Sequence, residues 1–495
     1  MRPLTAFSKS LPQVAAFLNI SYAGDDIRVE GMSSNSQDIL PGDLFIALAG
    51  ATAQSKHGAD FAKAAVDTGA VAILTDGKVE IASLGVPVLT LDSLELHIGD
   101  LLSWFYNHPS RGMYTVGITG TNGKTTTASI LYQLWKLADR SAASIGTLGT
   151  FIDDEAFSGN HTTPTAPVLQ QTLAAIAERG VTHTVMEVSS HSLVQHRVSG
   201  TRYSLVGFSN LSQDHLDFHG DMECYFAAKS SLFTLSYADR ALINIDDPYG
   251  LRLSQSIGIP FATLSRSNVK AQWHYVNTLS TGEGFEVSIR GEGGILIEGT
   301  LPLVGEHNLD NALMAIAMAV ESGVDPLLIA ARLKELCPIP GRLESVRLGQ
   351  NFNAIVDFAH SPDSVEKILT SLKSSTSGKL IAVLGCGGDR DKGKRPKMGS
   401  LLSQLADIAI FTSDNPRSEE PADILQDMTA GLTLDSHCIV EIDRAKAISI
   451  AVNQAGTGDC VLVLGKGHEL GQEIKGVKHP FDDRLELAKA IEAKR

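Results

Sequence analysis

A loop rich in glycine and threonine, with one lysine, follows the apolar run Tyr114–Thr119. Its glycines allow backbone N–H groups to turn toward phosphate oxygens, and the helix expected after it adds the positive end of its dipole. Lys124 can neutralise phosphate charge, and the Thr125 hydroxyl can bind Mg²⁺. The pattern predicts a nucleotide site, although Ile118 stands where the strict motif has glycine, and a glycine-rich turn with an exposed lysine is the alternative. The candidate phosphate-binding residues are Gly120, Thr121, Asn122, Gly123, Lys124, Thr125 and Thr126.

Carboxylate, imidazole and amine side chains follow the next apolar runs of the chain. Glu187 ends one run and can hold Mg²⁺ together with Thr125, because this cation prefers oxygen ligands and leaves positions for phosphate. His215, after a later run, is a less usual ligand for so hard a cation. Lys229 lies in a predicted helix over 225–233. Capping and turn formation by neighbouring aspartates are the alternative for the His215 segment, and a solvated helix lysine is the alternative for Lys229.

Polar or glycine-rich turns also follow three apolar runs in the last third of the chain. One of them is the Asp-Asn-Pro-Arg tetrapeptide 414–417. In open parallel sheets ligands bind at the carboxyl ends of the strands, so we expect the three turns to face one crevice. A β-turn with proline at its second position is the alternative interpretation of the tetrapeptide. The candidate residues in these turns are Arg390, Asp414, Asn415, Pro416, Arg417, Gly465 and Glu469.

The composition is that of an acidic globular protein. The chain has 495 residues, more than one core normally organises, so two to four domains are expected. Its 56 acidic residues exceed its 41 basic residues, which argues against a partner that is nucleic acid or an anionic membrane. Its five cysteines are scattered without a C-x-x-C pair, which disfavours a disulfide framework or a zinc site. No signal-peptide pattern and no bilayer-length apolar run is found, so we expect a reduced, cytoplasmic protein.

The elements that must position these residues alternate between apolar strands and helices. We expect a small N-terminal α/β domain over 1–107, a central P-loop-type parallel-sheet ATPase domain over 108–341, and a C-terminal Rossmann-like α/β domain over 342–495. A polar junction at Pro109 and a proline- and glycine-containing break over 338–341 suggest these boundaries. The predicted strands are 43–48, 71–75, 86–91, 114–119, 184–188, 205–209, 241–245, 354–358, 380–384, 408–412 and 461–464, and the predicted helices are 59–68 and 308–322.

Taken together, these segments resemble the Mur ligase family of peptidoglycan synthesis. The resemblance rests on the phosphate loop, on the segments that contain Glu187 and His215, on Gly341-Arg342, and on the run Val356 to His360. It covers nearly the whole chain and is weakest before Pro109. The Asp-Asn-Pro-Arg tetrapeptide is the family's signature for meso-diaminopimelate. The resemblance therefore implies an ATP-dependent amide ligase that adds meso-diaminopimelate to UDP-N-acetylmuramoyl-L-alanyl-D-glutamate through an acyl phosphate.

The resemblance implies ATP as co-substrate and Mg²⁺ as cofactor, and it gives the residues roles. Lys124 and Thr125 would serve ATP and Mg²⁺, Glu187 would bind the first metal and His215 the second. Lys229 matches a lysine that is carbamylated in the family, where CO₂ turns a cation into a carboxylate able to bind metal. These residues form the implied catalytic and metal-binding set. The implied nucleotide contacts from the C-terminal half are Asn308, Arg342, Asp357 and His360.

The resemblance also implies substrate contacts in what we expect to be a monomer. Arg417 would bind the distal carboxylate of diaminopimelate bidentately, Glu469 its ammonium, and Arg390 the carboxylate nearer the reacting amine. Lysine has no distal carboxylate and would leave Arg417 without a partner. The implied contacts to the UDP-muramoyl dipeptide are Ser34, Ser36, His161, Thr162, Thr163, Ser189, Gln195 and Arg197.

Three alternatives stay open: the same ligation with L-lysine or L-ornithine, a folylpolyglutamate synthetase, and a nucleotide-binding protein without catalysis. The tetrapeptide argues against the first two, and the retained metal and lysine candidates argue against the third. The chain also departs from the usual family pattern. Asn35 and Gln37 stand where aspartate and arginine are usual, His161 where asparagine is common, and Phe358 where tyrosine is usual.

Overall fold

Parallel strands form a sheet in each of three successive parts of the chain. The computed structural model describes residues 1–50, 55–159, 161–281 and 284–494. The expected three-part α/β architecture, with a parallel sheet in each part, is confirmed. Among the described helices, none has both the length and the apolar character needed to cross a membrane.

The N-terminal part is a short parallel sheet flanked by helices. Its strands are β1 (Lys9–Ser10), β2 (Arg28–Val29), β3 (Gly31–Ser33), β4 (Asp43–Ala47), β5 (Ala72–Thr75) and β6 (Val88–Thr90), and its helices are α1 (Leu11–Phe17), α2 (Ala62–Thr68) and α3 (Ile98–Phe105). The main sheet has the order β3-β4-β5-β6 and is parallel throughout. Every residue of β4 and β5 is buried, as expected for strands covered on both faces. The predicted helix 59–68 is a 3₁₀ turn followed by α2.

The central part contains the largest sheet. Its strands are β7 (Tyr114–Thr119), β8 (Ala142–Gly146), β9 (Gly149–Ile152), β10 (Glu155–Phe157), β11 (His183–Glu187), β12 (Tyr203–Phe208), β13 (Ala238–Asn244), β14 (Phe261–Ser265), β15 (Trp273–Ser280), β16 (Phe285–Arg290) and β17 (Leu296–Leu301). Its helices are α4 (Lys124–Leu137), α5 (Ala166–Glu178), α6 (Ser190–Val194), α7 (Leu216–His219), α8 (Met222–Ser230), α9 (Pro248–Ser254), α10 (His307–Glu321) and α11 (Pro326–Arg332).

The strand order of the central sheet places the phosphate loop at its middle. Within the described residues the order is β10-β9-β8-β11-β7-β12-β13-β14-β15-β16-β17. The strands in the middle of that order, β8-β11-β7-β12-β13-β14-β15, pair in parallel. The strands β9, β10, β16 and β17 extend both edges in antiparallel fashion. These edge strands were not predicted, because they alternate buried and exposed residues or are short, whereas the prediction relied on continuous apolar runs.

The C-terminal part contains the third parallel sheet, which has one antiparallel edge strand. Its strands are β18 (Glu344–Ser345), β19 (Asn353–Asp357), β20 (Leu380–Leu384), β21 (Ile408–Phe411), β22 (Cys438–Val440), β23 (Cys460–Leu464), β24 (Gly471–Ile474) and β25 (Val477–Pro480), and its helices are α12 (Pro362–Ser375), α13 (Arg395–Leu405), α14 (Pro421–Thr429), α15 (Arg444–Gln454) and α16 (Asp483–Lys494). The sheet order is β18-β19-β23-β20-β21-β22, and β24 and β25 form a separate hairpin. The turns after β20, β21 and β23 therefore leave from adjacent strands.

Helices α4 and α10 pack together against one face of the central sheet. Their buried faces include Leu131 and Trp135 of α4 and Leu313 and Ala317 of α10. The indole N–H of Trp135 donates to the Ser322 hydroxyl at 2.8 Å, which joins the end of α10 to α4. This packing fixes the beginnings of both helices beside the phosphate loop, where the sheet's carboxyl ends lie.

Candidate active site

A cleft of about 330 Å³ lies between the carboxyl ends of the central and C-terminal sheets. We call it the central cleft. Because both sheets contribute strand ends to it, residues distant in sequence meet there. Of the predicted residues, those lining it are Thr121, Asn122, Gly123, Lys124, Thr125, Thr126, Thr162, Glu187, Ser189, His215, Arg342, His360, Arg390, Asp414, Asn415, Arg417, Gly465 and Glu469.

The phosphate loop runs from the end of β7 into the first turn of α4. Gly123 caps this helix with a φ of 87°, and a Cβ there would lie 2.2 Å from Asn311 Oδ1, so only glycine fits. The Lys124 ammonium donates to the carbonyl oxygens of Gly120 and Thr121 at 2.9 Å each. Burial lowers the pKa of Lys124 from its ordinary value. The loop thus presents a helix N-terminus and a buried amine to the cleft.

Two side chains with oxygen atoms suited to bind a metal, Thr125 of α4 and Glu187 at the end of β11, lie beside each other. The Thr125 hydroxyl donates to Glu187 Oε2 at 2.9 Å, and the Thr147 N–H donates to Glu187 Oε1 at 2.7 Å. In an octahedron with bonds of 2.0–2.1 Å, neighbouring ligand atoms lie about 2.9 Å apart, so these oxygens fit Mg²⁺. Arg342 Nη2, from the C-terminal side of the cleft, also donates to the Thr125 hydroxyl, at 3.0 Å.

Lys229 is buried beneath the phosphate loop, not solvated on a helix surface. It lies on α8, which begins at Met222, three residues before the predicted helix, after the N-cap Asp221. Its side chain is 1% exposed, and its amine donates to the Gly120 carbonyl at 2.8 Å. Burial, followed by the nearby Lys124, lowers the pKa of Lys229 well below its usual value. The amine is therefore held in a position that favours its neutral, nucleophilic form.

His215 stands beside the buried carboxylate of Asp214, for which the sequence indicated only helix capping or turn formation. Its Nε2 lies 3.5 Å from Asp214 Oδ2, and burial lowers the pKa of His215 to about 3, so the imidazole is neutral. Asp214 Oδ1 accepts a hydrogen bond from Lys394 Nζ at 3.3 Å, and Asp214 Oδ2 lies 3.9 Å from His360 Nε2. Although burial alone would raise it, Lys394, His215 and His360 hold the pKa of Asp214 well below its usual range.

Two predicted nucleotide contacts point into the protein. Asp357 accepts hydrogen bonds from the N–H groups of Leu343 and Ala359, both at 2.7 Å. Asn308 donates to the Val304 carbonyl at 2.7 Å. Neither residue lines the central cleft, whereas Arg342 and His360 do.

The amino-acid end of the cleft is formed by the turns after β20, β21 and β23. Arg417 has a left-handed backbone with φ 52°, and its Nη1 donates to the Gly388 carbonyl at 2.5 Å. Asn415 donates to Glu469 Oε2 at 2.8 Å. Burial, followed by the nearby Arg417, lowers the pKa of Arg390, so two guanidinium groups lie near each other here. Arg417 Nε also lies 3.5 Å from Glu473 Oε2. The two guanidinium groups are suited to a ligand with more than one carboxylate.

The residues assigned to the UDP-linked substrate fall into separate groups. Ser34, Gln195 and Arg197 line a second cavity of about 530 Å³ between the N-terminal and central parts, whereas Ser36 and His161 line neither cavity. Thr162 and Ser189 line the central cleft. Between the two cavities, the Thr163 hydroxyl donates to the Glu187 carbonyl at 2.8 Å, and Arg197 Nη1 donates to the Thr163 carbonyl at 3.0 Å.

No site role was predicted for several residues in or beside the cleft. Asp214 directly precedes the predicted ligand His215, and Asn311 lies in the predicted helix 308–322, so both positions could have been noticed. Lys394, in the polar stretch after β20, gave no signal, because its partner Asp214 lies 180 residues away in sequence. Lys466, between Gly465 and Glu469, could have been noticed from its place after a buried strand.

Two family models match the chain. The model described as Mur ligase middle domain matches residues 118–319, and the one described as Mur ligase, glutamate ligase domain, matches residues 341–467. The UDP-N-acetylmuramoyl-L-alanyl-D-glutamate–2,6-diaminopimelate ligase of Streptomyces avermitilis is 43% identical over 499 residues, which cover 99% of this chain and 98% of that protein. The ligase of the same name from Geobacillus thermodenitrificans is 40% identical, covering 96% and 97%.

Solved structures show the same architecture. A structure of a UDP-N-acetylmuramoyl-L-alanyl-D-glutamate–2,6-diaminopimelate ligase matches with a TM-score of 0.66 and 32% identity, covering 100% of this chain and 99% of that chain. Folylpolyglutamate synthase of Mycobacterium tuberculosis matches with a TM-score of 0.62 and 19% identity, covering 76% and 92%. The second likeness shows the fold alone.

The pair of Lys394 and Asp214 generates a prediction about closure of the cleft. Lys394→Met leaves a buried carboxylate without its ammonium partner, which costs about 3 kcal/mol in the closed arrangement. We expect the variant to open, giving a larger radius of gyration by small-angle X-ray scattering. Lys373→Met is the control, because Lys373 pairs with Asp407 within the C-terminal part and is 43% exposed. An unchanged radius in the Lys394 variant would contradict the prediction.

Proposed function

The chain belongs to the Mur ligase family, and from that premise we propose that its central cleft joins an ATP-activated carboxylate to the amine of a diamino acid. The protein is an ATP-dependent ligase that adds 2,6-diaminopimelate to UDP-N-acetylmuramoyl-L-alanyl-D-glutamate in peptidoglycan synthesis. The observation that carries the proposal is that the phosphate loop and the tetrapeptide 414–417 border the same cavity. One end suits a nucleotide and the other suits a ligand with two acid groups.

The proposed reaction has an activation step and a ligation step. The carboxylate of the D-glutamyl residue attacks the γ-phosphorus of ATP, which gives an acyl phosphate and ADP. An amine of meso-diaminopimelate then attacks the acyl carbon, phosphate leaves, the nitrogen loses a proton, and the amide forms. Both reacting partners of the first step are anions. Lys124 and Arg342, on opposite walls of the cleft, are placed to reduce that repulsion.

In the proposed nucleotide site, the loop Gly120–Thr126 holds the phosphates. Its backbone N–H groups and the beginning of α4 supply the positive end of a dipole there. Arg342 and His360 reach the same space from the C-terminal part. Asn308 and Asp357 act one layer away: Asn308 accepts a hydrogen bond from the Asn311 amide at 3.0 Å, and Asp357 orders the backbone beside Arg342.

We infer Mg²⁺ binding by Thr125 and Glu187, supported by the spacing of their oxygen atoms. A second cation would use His215 and a carbamate on Lys229. When bound, Mg²⁺ supplies positive charge that offsets phosphate charge as the acyl phosphate forms. Glu187 is 2% exposed and Asp214 is 4% exposed, so the carboxylates that face this region are already desolvated and positioned.

Carbamylation of Lys229 is supported by the environment of its amine. A neutral amine attacks CO₂ through its nitrogen lone pair and then releases a proton, which leaves a carbamate anion. The depressed pKa of Lys229 provides the neutral amine, and Lys124 offers positive charge near the anion that results. The same neighbour that disfavours the ammonium form therefore favours the carbamate.

The substrates are proposed to enter from two sides. The cavity that contains Ser34, Gln195 and Arg197 would take the UDP end, and Thr162 and Ser189 lead from there toward Glu187. Ser36 and His161, which line neither cavity, would contact the UDP-linked substrate only outside these cavities. Arg417 and Arg390 would bind the two carboxylates of diaminopimelate, and the turn 414–417 would hold its distal end with Glu469 and Gly465.

We further propose domains over 1–107, 108–341 and 342–495, of which Arg495 lies outside the described residues. We also propose a monomeric, cytoplasmic enzyme, and its acidic composition supports the absence of a nucleic-acid or anionic-membrane partner.

The function is tested by phosphate release. ATP turnover should require both UDP-muramoyl dipeptide and an amino acid, and a competition among meso-diaminopimelate, lysine and ornithine should yield the diaminopimelate product by mass. Turnover with folate and glutamate instead would overturn the assignment.

Lys229→Ala tests the carbamate. Loss of this metal-binding group removes charge stabilisation in the activation step, so kcat should fall about 100-fold or more and excess bicarbonate should not restore it. In the unmodified protein, ¹³C-bicarbonate should give a carbamate carbon signal that the variant lacks. The control is Lys270→Ala, since Lys270 is exposed in the central part. Full turnover by the Lys229 variant would remove this residue from the site.

Arg417→Ala tests recognition of the distal carboxylate. The variant leaves that carboxylate without its bidentate partner, so kcat/KM for meso-diaminopimelate should fall about 100-fold more than kcat/KM for lysine. Arg417→Lys keeps the charge but loses the planar fork, so its kcat/KM for meso-diaminopimelate should lie between the values of the unmodified protein and of Arg417→Ala. Arg347→Ala, at an exposed position of the C-terminal part, is the matched control. Equal losses for both amino acids would refute the assignment.

A further inference from the structure

A buried lysine that the proposed reaction does not use lies directly behind the amino-acid end of the central cleft. Lys466 follows β23, and its side chain is 0% exposed. Its ammonium donates to Asn415 Oδ1 at 3.0 Å and to Glu469 Oε2 at 2.8 Å. A buried ammonium is tolerated only when it is paired, so these contacts are required for its burial.

The contacts of Lys466 determine which way the Asn415 amide points. Asn415 Oδ1 accepts from the Lys466 amine and from the Glu473 N–H, the latter at 2.9 Å. Both donors require an oxygen at this position, so the amide nitrogen is directed the other way. That nitrogen donates to Glu469 Oε2 at 2.8 Å. Lys466 and Asn415 therefore hold the same carboxylate oxygen of Glu469.

The Glu469 carboxylate is consequently held with one oxygen occupied. Within the described part of the chain, its hydrogen bonds fall on Oε2, and Oε1 accepts none. Glu469 lines the central cleft and is 34% exposed, so Oε1 can accept a hydrogen bond from a ligand ammonium. Its negative charge is at the same time compensated by Lys466.

We propose that Lys466 is a positioning residue for amino-acid choice, which orients Asn415 and Glu469 and compensates the Glu469 charge, so that the site favours a distal end bearing both an ammonium and a carboxylate over one bearing an ammonium alone. This inference rests on the proposed function. The distal end of diaminopimelate carries no net charge, whereas that of lysine carries +1. A Glu469 carboxylate without Lys466 attracts the lysine end more strongly, because its charge is no longer offset.

The electrostatic surroundings support this role. Although burial alone would raise it, Lys466 and Arg444 hold the pKa of Asp414 below its ordinary value. Arg444, itself 0% exposed, is paired with Asp483 and donates to the Leu464 carbonyl at 2.8 Å. Arg444 is thus already engaged with another carboxylate, and Lys466 is the ammonium that contacts Glu469.

The experiment compares the ratio of kcat/KM for meso-diaminopimelate to kcat/KM for lysine in two variants. Lys466→Met removes the compensating charge, so the ratio should fall about tenfold or more. Glu469→Gln leaves Lys466 uncompensated, which repels the lysine end, so the ratio should rise. We therefore expect the ratio to shift in opposite directions in the two variants. A residue with a merely structural role would change kcat/KM for both amino acids by the same factor and leave the ratio unchanged.

A double-mutant cycle tests whether Lys466 acts through Glu469. Lys466→Met should change the ratio much less in the Glu469→Gln background than in the unmodified protein. Lys446→Met is the matched control, because Lys446 is 71% exposed on α15 in the same part of the chain. The ratio of the two kcat/KM values should not change in this variant. Circular dichroism and ATP affinity report whether each variant folds.

The outcomes separate this inference from the proposed function. If the unmodified protein releases no phosphate with UDP-muramoyl dipeptide and meso-diaminopimelate, the proposed function fails. If it does, but the Glu469→Gln ratio stays unchanged or falls, the role of Lys466 is refuted, even where Lys466→Met does not fold. A ratio unchanged in a folded Lys466→Met variant refutes it equally.

Discussion

Lysine and acidic side chains are buried together beside the carboxyl ends of the central strands, and each of them needs a polar partner there. Lys124 and Lys229 both donate to the Gly120 carbonyl, while Glu187 and Asp214 lie buried in the same cleft. An unpaired charge at such depth costs several kcal/mol, so each of these groups needs a partner that the fold must deliver. The neighbouring strands β11, β7 and β12 do this by ending at one edge of the central sheet.

The C-terminal part completes the pairing across the central cleft. Arg342 donates to Thr125, Lys394 donates to Asp214, and Asn122 of the phosphate loop donates to Asp363 Oδ2 at 2.9 Å. If the two parts separate, these contacts are exchanged for water. Closure would therefore also assemble the site, because the groups proposed to bind phosphate and metal are also the groups that hold the two parts together.

The sequence was sufficient where chemistry directly follows an apolar run. The phosphate loop follows a strand of the central sheet, Glu187 ends another, and residues 414–417 follow a strand of the C-terminal sheet. Each could therefore be placed at the carboxyl end of a parallel sheet from the sequence. The burial of Lys229 could not, because α8 is short and mixed in composition and its core-facing side depends on tertiary packing. Nor could the partnership of Lys394 with Asp214, since no local pattern links residues so far apart. The antiparallel edge strands β16 and β17 were missed because they alternate buried and exposed residues.

The Asp-Asn-Pro-Arg tetrapeptide is not closed by the hydrogen bond of a β-turn, because the Arg417 N–H donates to Glu473 and not to Asp414. Arg417 can present its guanidinium to the cleft because its backbone adopts a left-handed conformation, which side-chain-bearing residues rarely hold unaided. The β24–β25 hairpin stabilises that conformation: the Arg417 N–H donates to the Glu473 carbonyl at 3.0 Å, and the Lys475 N–H donates to the Arg417 carbonyl at 2.6 Å. In the proposed site, specificity for the incoming amino acid would therefore depend on the hairpin behind the tetrapeptide as much as on the tetrapeptide itself.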